Sequence, residues 1–380
     1  MTITNKVPSQ VMQFAGGEAN LGVYLAAVDY FNHYQADNGK PHSEYRKFTT
    51  NKDGQQVELT FAKKEEELNS ALKKEILRKA GINDISQFPL ETWAGHPTLR
   101  WAAFAVISAI VDMILPQTLI KSIGIFTDIK TIGWGDSAAF NVKPRDLFVV
   151  SKAGRAKRTT ELHKQFEGQV TVIPELRELA VSVSLYRVLA GLDSLAELLA
   201  KAVLSMESQV TVDAYTAFAT AMGAIDNTAS TGLRVAGYSQ SEFVRLSQTV
   251  RAWNMGAEPI AIGTQAALAS ILPSDANYRY DFESEYVKVG HLKEFQMTRV
   301  MMLEQVADWA TPFGLKLADN RIWIVSPSSQ KIVKLVLEGN VMSYTDEVYR
   351  NANLLQNAVI QKSWGTVVAT NAVGATIELS

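Results

Sequence analysis

The stretch of sequence that decides the fold is SLAELLAKAVLSMESQVTVDAYTAFATAM, from Ser194 to Met222. Ser194 and Glu197 form a capping box, in which each side chain bonds a free backbone N–H at the start of a helix. Apolar residues then recur at helical spacing as far as Gly223, namely Leu195, Leu198, Leu199, Ala202, Val203, Met206, Val210, Tyr215, Phe218 and Met222. The pattern predicts one amphipathic helix about 43 Å long, at about 1.5 Å per residue.

A break in this helix is the alternative. Val210 to Val212 is a run of β-branched residues, which lose side-chain freedom in a helix. Asp213 follows the run, and aspartate favours the first position of a new helix. The sequence therefore allows either one long helix or two shorter ones.

Two segments with alternating apolar and polar residues precede the helix. They are Phe140 to Arg145 and Glu178 to Leu185, and their period predicts two strands with one exposed face each. Ser151 to Gly168 lies between them and has little apolar content, so we expect it to form the exposed tip of a long hairpin. We place Pro144 and Pro174 inside the strands, because both strands of a two-stranded ribbon are edges that tolerate a missing N–H. The cations of the tip are Lys152, Arg155, Lys157, Arg158 and Lys164.

The remaining elements follow from period and capping signals. Residues before about Thr60 predict an extended arm with one short helix. Predicted helices are Leu21 to Phe31, Phe61 to Ala80, Leu99 to Ile114, Ser239 to Trp253 and Thr264 to Leu272. Predicted strands are Pro259 to Ile262, Glu285 to Val289, Met297 to Leu303, Arg321 to Val325, Lys331 to Leu337 and Ala358 to Ala369. Helices and strands do not alternate regularly as βαβ units along the chain, which indicates the α+β class.

Composition excludes several classes of protein. The 380 residues carry 37 Lys and Arg against 39 Asp and Glu, a net charge of -2, so no global positive field favours nucleic acid or an anionic membrane. The absence of cysteine excludes disulfides, thiolate metal sites and cysteine nucleophiles.

The start of the chain lacks the apolar core of a signal peptide. Trp101 to Leu115 is apolar but shorter than a bilayer crossing, so we expect a buried helix that stops before Pro116.

Motifs for catalysis or cofactor binding are weak. Gly133, Gly135 and Ala138 fit a loose dinucleotide pattern, but a strand follows where that fold needs a helix, so we expect a turn. Gly135, Asp136 and Ser137 resemble the start of a serine esterase, but the last histidine is His291, with Lys288 where an acid would stand. The five histidines have no metal-binding spacing. We therefore predict no catalytic residue, no cofactor and no metal.

The order of elements resembles the major capsid protein of tailed bacteriophages, whose Hong Kong 97-like fold is shared with encapsulins. The resemblance covers roughly residues 115–380, and the order of the motifs is more specific than any one of them. AFNVKPRDLF (Ala139 to Phe148), continuing to Gly154, and TVIPE (Thr171 to Glu175) are similar to the extended loop and its return strand. YRVLAGLDSLAE (Tyr186 to Glu197) stands where the spine helix of that family begins.

The later motifs resemble the rest of that fold. VGHLKEFQMTRVMM (Val289 to Met302) is similar to a strand, turn and strand of the axial domain, with Met297 where the family often has glycine. RIWIVSPSSQKIVKLVLEGN (Arg321 to Asn340) and NAVIQKSWGTVVA (Asn357 to Ala369) are similar to the strands that return to the peripheral domain. The domains that the resemblance implies are an arm (1–60), a helical region (61–130), an extended loop (131–185), a spine helix (186–224), an axial domain (225–330) and returning strands (331–380).

The function that the resemblance implies is self-assembly into the icosahedral head of a tailed phage around double-stranded DNA. The expected partners are further copies of the chain in hexamers and pentamers, scaffolding, portal and decoration proteins, and DNA bound without sequence specificity, but no membrane. The expected location is the virion, after assembly in the host cytoplasm. The resemblance places Lys152, Arg155, Lys157 and Arg158 at a subunit interface. An encapsulin-type compartment is the alternative, and an enzyme with an unrecognised site is the third hypothesis.

Overall fold

The computed structural model describes fourteen parts of the chain. They are residues 18–37, 45–50, 56–82, 97–124, 127–142, 168–183, 187, 193–226, 232–272, 290–308, 311–326, 331–345, 356–368 and 373–379.

Six helices form in these residues, in chain order: α1 (Glu18–Asp37), α2 (Phe61–Ala80), α3 (Pro97–Ser122), α4 (Leu195–Asp226), α5 (Gln240–Trp253) and α6 (Gln265–Leu268). The bounds predicted for α2 are confirmed, and Gly81 ends the helix with a φ of 75°. The prediction for α1 was too short at both ends. The helix predicted from Thr264 to Leu272 is only one turn long, and Thr264 caps it by accepting a bond from the Ala267 N–H.

Helix α3 corrects two expectations. It continues through Pro116, which we expected to end it. Burial explains the continuation, because Leu115 and Leu119 on either side of the proline are fully buried and their packing outweighs one missing hydrogen bond. The apolar segment is also longer than expected, since Thr98–Ile120 has the length and composition of a membrane span. However, 67% of its most apolar window is buried within the protein, as in a core helix.

Helix α4 is one continuous helix of 32 residues, about 48 Å long. Ser194 caps it by accepting a bond from the Glu197 N–H at 3.3 Å, and the Asn69 Oδ1 accepts another from the Ala196 N–H at 3.1 Å. No break occurs at Val210, which is fully buried. Asp213 does not cap a second helix, because its carboxylate accepts a bond from the Trp364 Nε1 at 3.0 Å. The predicted apolar stripe is buried except at Leu198, which is half-buried.

The strands, in chain order, are β1 (Phe48–Thr50), β2 (Gln56–Glu58), β3 (Thr127–Ile132), β4 (Ala138–Val142), β5 (Gly168–Val172), β6 (Glu175–Val183), β7 (Arg234–Ala236), β8 (Ile260–Thr264), β9 (Glu294–Phe295), β10 (Thr298–Leu303), β11 (Ala307–Asp308), β12 (Gly314–Leu315), β13 (Arg321–Val325), β14 (Val333–Thr345), β15 (Gln356–Val368) and β16 (Gly374–Glu378). They confirm the α+β class. Strand β14 extends well beyond the predicted end at Leu337, and the predicted strand Glu285 to Val289 lies outside the described residues.

Within the described residues, the strands form a six-stranded sheet in the order β7-β16-β13-β8-β10-β9, a four-stranded sheet in the order β3-β14-β15-β6, and three two-stranded sheets, β1-β2, β4-β5 and β11-β12. Two compact units divide the chain. Unit 1 comprises Met1–Lys121, Glu175–Gln209 and Glu338–Ser363, and unit 2 comprises Ser122–Pro174, Val210–Leu337 and Trp364–Ser380.

The six-stranded sheet organises unit 2. Side chains alternate along β13, so that Ile322 and Ile324 join a core with α5 residues such as Phe243 and Leu246. Trp323, between those isoleucines, instead packs edge-on against Tyr215 and Phe218 of α4 at centroid distances of 5.4 and 5.6 Å. The sheet is therefore covered on both faces.

The pairing of the sheet fixes which turns share an edge. Strands β8 and β10 are parallel, with Ile260 opposite Arg299. The segments that enter them therefore lie at one edge of the sheet, the edge formed by the starts of these two strands. Strand β13 runs antiparallel to β8. The connection from β10 to β13 therefore lies at the opposite edge of the sheet, which is formed by the ends of β8 and β10.

Replacing Leu199, which is 2% exposed, by Asp should destabilise the fold strongly, because the carboxylate would be buried without a partner. We expect a loss of about 3 kcal/mol or more, seen as a lower melting temperature of the unassembled chain in calorimetry. Leu198→Asp on the same turn is the matched control and should cost about 1 kcal/mol, because Leu198 is half-buried. Equal losses would contradict the orientation of α4.

Candidate assembly surfaces

The antiparallel ribbon of β4 and β5 is the stem of the predicted hairpin. Its register runs from Ala138 opposite Val172 to Val142 opposite Gly168. The expectation that β4 pairs with the segment around Leu179 is therefore wrong. Pro174 lies between β5 and β6, not inside a strand, and β6 belongs to a different sheet. The proline lacks the N–H that a continuous strand would need there.

One face of this ribbon is anchored. Ala138, Phe140 and Val172 are buried against Val336 of β14, and Ile132 and Val367 pack on the same cluster. The alternate residues Asn141, Gln169 and Thr171 are exposed. The stem is thus fixed to unit 2 by one apolar face.

Two lysines reinforce the anchor. The Lys130 Nζ lies 4.1 Å and the Lys334 Nζ 5.4 Å from the centroid of the Phe140 ring, both within cation–π range. Lys334 is almost fully buried, and its ammonium pairs with the Asp128 Oδ2 at 3.2 Å. The sequence did not predict this cluster, because alternating apolar and polar residues in β3 and β14 do not show which strands will pack against them.

The predicted interface residues at the tip, Lys152, Arg155, Lys157 and Arg158, lie outside the described residues, as do Lys164 and Pro144. The structure places the two ends of their segment, Val142 and Gly168, directly opposite each other. Residues 143–167 therefore leave and return at one end of the stem.

The other end of the stem is held by a close backbone contact. A Cβ added to Gly365 of β15 would lie 2.6 Å from the Ile173 carbonyl oxygen, which only a glycine avoids without a backbone shift. Ile173 itself is 81% exposed. Gly365 therefore sets how closely β15 approaches the end of β5.

The weak cofactor and esterase motifs lie in the turn between β3 and β4. The Asp136 N–H donates to the Gly133 carbonyl at 3.3 Å, and Gly135 has a φ of 79°. Trp134, Asp136 and Ser137 are all exposed. These residues form the surface turn that we expected because a strand follows them. Gly135 adopts its positive φ without the strain that a Cβ would cause.

The buried charges that the structure describes have structural partners. Asp29 of α1 accepts from the Arg46 N–H at 2.7 Å and pairs with the Lys64 Nζ of α2 at 3.2 Å. Burial lowers the pKa of Lys64, and Asp29 opposes that shift. Burial also lowers the pKa of His33, whose ring stacks on Tyr45 at 4.1 Å. No group of three or more His, Asp or Glu residues in the described parts of the chain is arranged to hold a metal ion.

Comparison with solved structures finds capsids and a virus-like particle. The chain matches a subunit of the mature capsid of bacteriophage PhiM1 with a TM-score of 0.47 and 9% identity, over 67% of this chain and 86% of that one. The capsid of the native GTA particle gives 0.45 and 11%, over 68% and 89%. The virus-like particle from Pyrococcus furiosus gives 0.40 and 12%, over 70% and 97%. No protein-family model and no curated protein sequence matches the chain.

Replacing Gly365 by Ala should lower the melting temperature of the unassembled chain, because the new methyl group meets a backbone oxygen and forces β5 and β15 apart. We expect a cost of about 1–3 kcal/mol. Gly168→Ala at the other end of β5 is the control, since its nearest neighbour would lie at 3.9 Å. Equal melting temperatures for the two variants would show that the contact at Gly365 is unimportant.

Proposed function

We propose that the chain is a structural subunit that assembles into a closed icosahedral shell, and specifically the major capsid protein of a tailed bacteriophage head that encloses double-stranded DNA. The observation that carries this proposal is the β4–β5 ribbon, which is anchored at its stem and continues into residues 143–167.

Packing within a single copy gives such a ribbon little stability. A two-stranded ribbon is marginally stable alone, and here only one face of the stem is packed. A ring or shell of identical subunits supplies a neighbouring surface to every such extension. In this proposal, self-association gives residues 143–167 a role beyond the folding of a single copy.

The charge distribution supports contact between copies. Residues 143–167 contain seven Lys or Arg against three Asp or Glu, so the rest of the chain carries a net charge of -6. A cationic segment and an otherwise acidic chain attract one another when two copies meet, which favours correct docking. Lys152, Arg155, Lys157 and Arg158 are the interface cations in this proposal.

The proposal concerns a structural protein and assigns no catalytic residue, cofactor or metal. In this proposal the chain has six segments, namely an arm (1–60), a helical region (61–130), an extended loop (131–185), a spine helix (186–224), an axial domain (225–330) and returning strands (331–380). The partners of the chain are other copies in hexamers and pentamers, packaged DNA, and scaffolding, portal and decoration proteins. The chain acts in the virion after assembly in the host cytoplasm. Neighbouring genes for a terminase and a portal would support the phage head, whereas a cargo enzyme with a docking tail would indicate a compartment.

The purified full chain should form pentamers, hexamers or closed shells, because a ring satisfies extensions that one copy leaves uncovered. Sedimentation velocity and negative-stain imaging check this outcome. Monomers or dimers alone, under conditions that stabilise related shells, would contradict the proposal.

Replacing Lys152, Arg155, Lys157 and Arg158 together by Glu should leave the melting temperature of the unassembled chain nearly unchanged. Exposed charges contribute about 0–1 kcal/mol each to folding, whereas a shell repeats the lost contact many times. The yield of shells measured by sedimentation should therefore fall.

The control for this variant reverses four exposed lysines elsewhere, namely Lys47, Lys63, Lys74 and Lys201, which gives the same net charge. It should assemble more completely than the tip variant. Normal shells from the tip variant would exclude the interface role, and a large fall in its melting temperature would mean that the tip packs within its own chain.

A further inference from the structure

Large apolar side chains stand at three turns of unit 2 where the backbone favours glycine. Among the described residues, the non-glycine residues with positive φ are Met255 (58°), Gln296 (49°), Met297 (58°) and Phe313 (57°). Left-handed backbone is unfavourable for residues with a Cβ, and a long apolar side chain offers no local hydrogen bond in return. All four residues therefore conflict with the local preference of their turn, and the three apolar ones gain no local hydrogen bond in return.

Each turn has a geometry that explains the preference. Met255 follows the C-cap of α5, a position usually taken by glycine. Gln296 and Met297 are the two central residues of the tight turn that pairs Phe295 with Thr298.

Phe313 follows Pro312 in a turn closed by the Gly314 N–H on the Thr311 carbonyl at 2.9 Å. Glycine or asparagine is the usual residue after proline in such a turn.

The same side chains are more than half exposed in their own chain. Met255 is 55%, Met297 71% and Phe313 104% exposed. Each therefore carries a conformational cost and withdraws little apolar surface from water. Stability of a single copy therefore does not account for these residues.

The sheet places these side chains on two opposite edges. Met255 lies in the segment that enters β8, and Met297 in the turn that enters the parallel strand β10, so both lie at one edge together with Trp253, which is also exposed. Phe313 and the exposed Leu315 lie in the β11–β12 hairpin that connects β10 to β13, at the opposite edge. We name these groups the methionine surface (Trp253, Met255 and Met297) and the phenylalanine surface (Phe313 and Leu315).

We propose that the two surfaces are the halves of one contact between neighbouring copies, the methionine surface of one copy packing on the phenylalanine surface of the next. This inference rests on the proposed function. A head-to-tail ring needs two different surfaces on every copy, and unit 2 presents two apolar ones at opposite edges of a single sheet. Their chemistry is complementary, because methionine sulfur packs favourably against an aromatic ring.

Cysteine cross-linking tests the pairing cleanly, because the native chain has no cysteine. Chains carrying Met297→Cys and chains carrying Phe313→Cys are assembled together and treated with a short bis-maleimide. The mixture should give covalent dimers, and each variant assembled alone should give few. The doubly substituted chain should give a ladder that ends at the ring size.

The matched control mixes Met297→Cys with Gln248→Cys, an exposed position on α5 away from both turns. This control should not cross-link above background. Cross-linking of either single variant alone as strongly as the mixture would overturn the head-to-tail pairing, and so would rings or shells that form normally without the expected dimers. Failure of the native chain to assemble at all would instead refute the proposed function, and this inference with it.

A second measurement separates folding from contact. Met297→Gly and Gln296→Gly relieve the same kind of strain in one turn, so both should raise the melting temperature of the unassembled chain by a few degrees. Only Met297→Gly removes an apolar contact, so it alone should lower the yield of rings or shells, by several-fold. Equal yields from the two variants would overturn the role of the methionine surface.

Discussion

The burial of helix α4 along most of its length is the constraint on which the rest of the structure depends. Its first part packs in unit 1, where the Asn69 side chain bonds both the Ser194 hydroxyl and the Ala196 N–H at the start of the helix. Its second part packs in unit 2, where Tyr215 and Phe218 hold Trp323 of the six-stranded sheet. A helix that buries Val203, Val210 and Ala214 completely has no freedom to break, which is why the β-branched run does not interrupt it.

The ribbon illustrates what periodicity predicts and what it leaves open. The alternation around Phe140 and around Leu179 identified two real strands, because a half-buried strand requires that pattern. It did not identify their partners, since alternation records a buried face and says nothing about hydrogen-bonding edges. Periodicity missed β5 as a separate element, although the resemblance named Thr171 to Glu175 as a return strand. Pro174 is the residue whose missing N–H divides β5 from β6.

Other misses have similar physical causes. Pro116 was expected to end α3 on local grounds, but burial of Leu115 and Leu119 outweighs the local cost. Strands β3 and β16 are short, and the pairing that stabilises them comes from residues distant in sequence. For the assembly surfaces, the interface role of Lys152, Arg155, Lys157 and Arg158 stays a prediction, because these residues lie outside the described parts of the chain. The turn residues Met255, Met297 and Phe313 could not be predicted from the sequence, because only the backbone angle shows that they oppose their local preference.

The buried charges are used for packing, and under the proposed function the exposed apolar turns and the cationic segment contact other copies. The most direct test of this account is electron cryomicroscopy of the purified full chain. The account predicts closed particles with five-fold and six-fold rings, in which residues 143–167 of each copy lie on the adjacent copy. Particles in which that segment folds back on its own chain, or a chain that remains monomeric at high concentration, would contradict it.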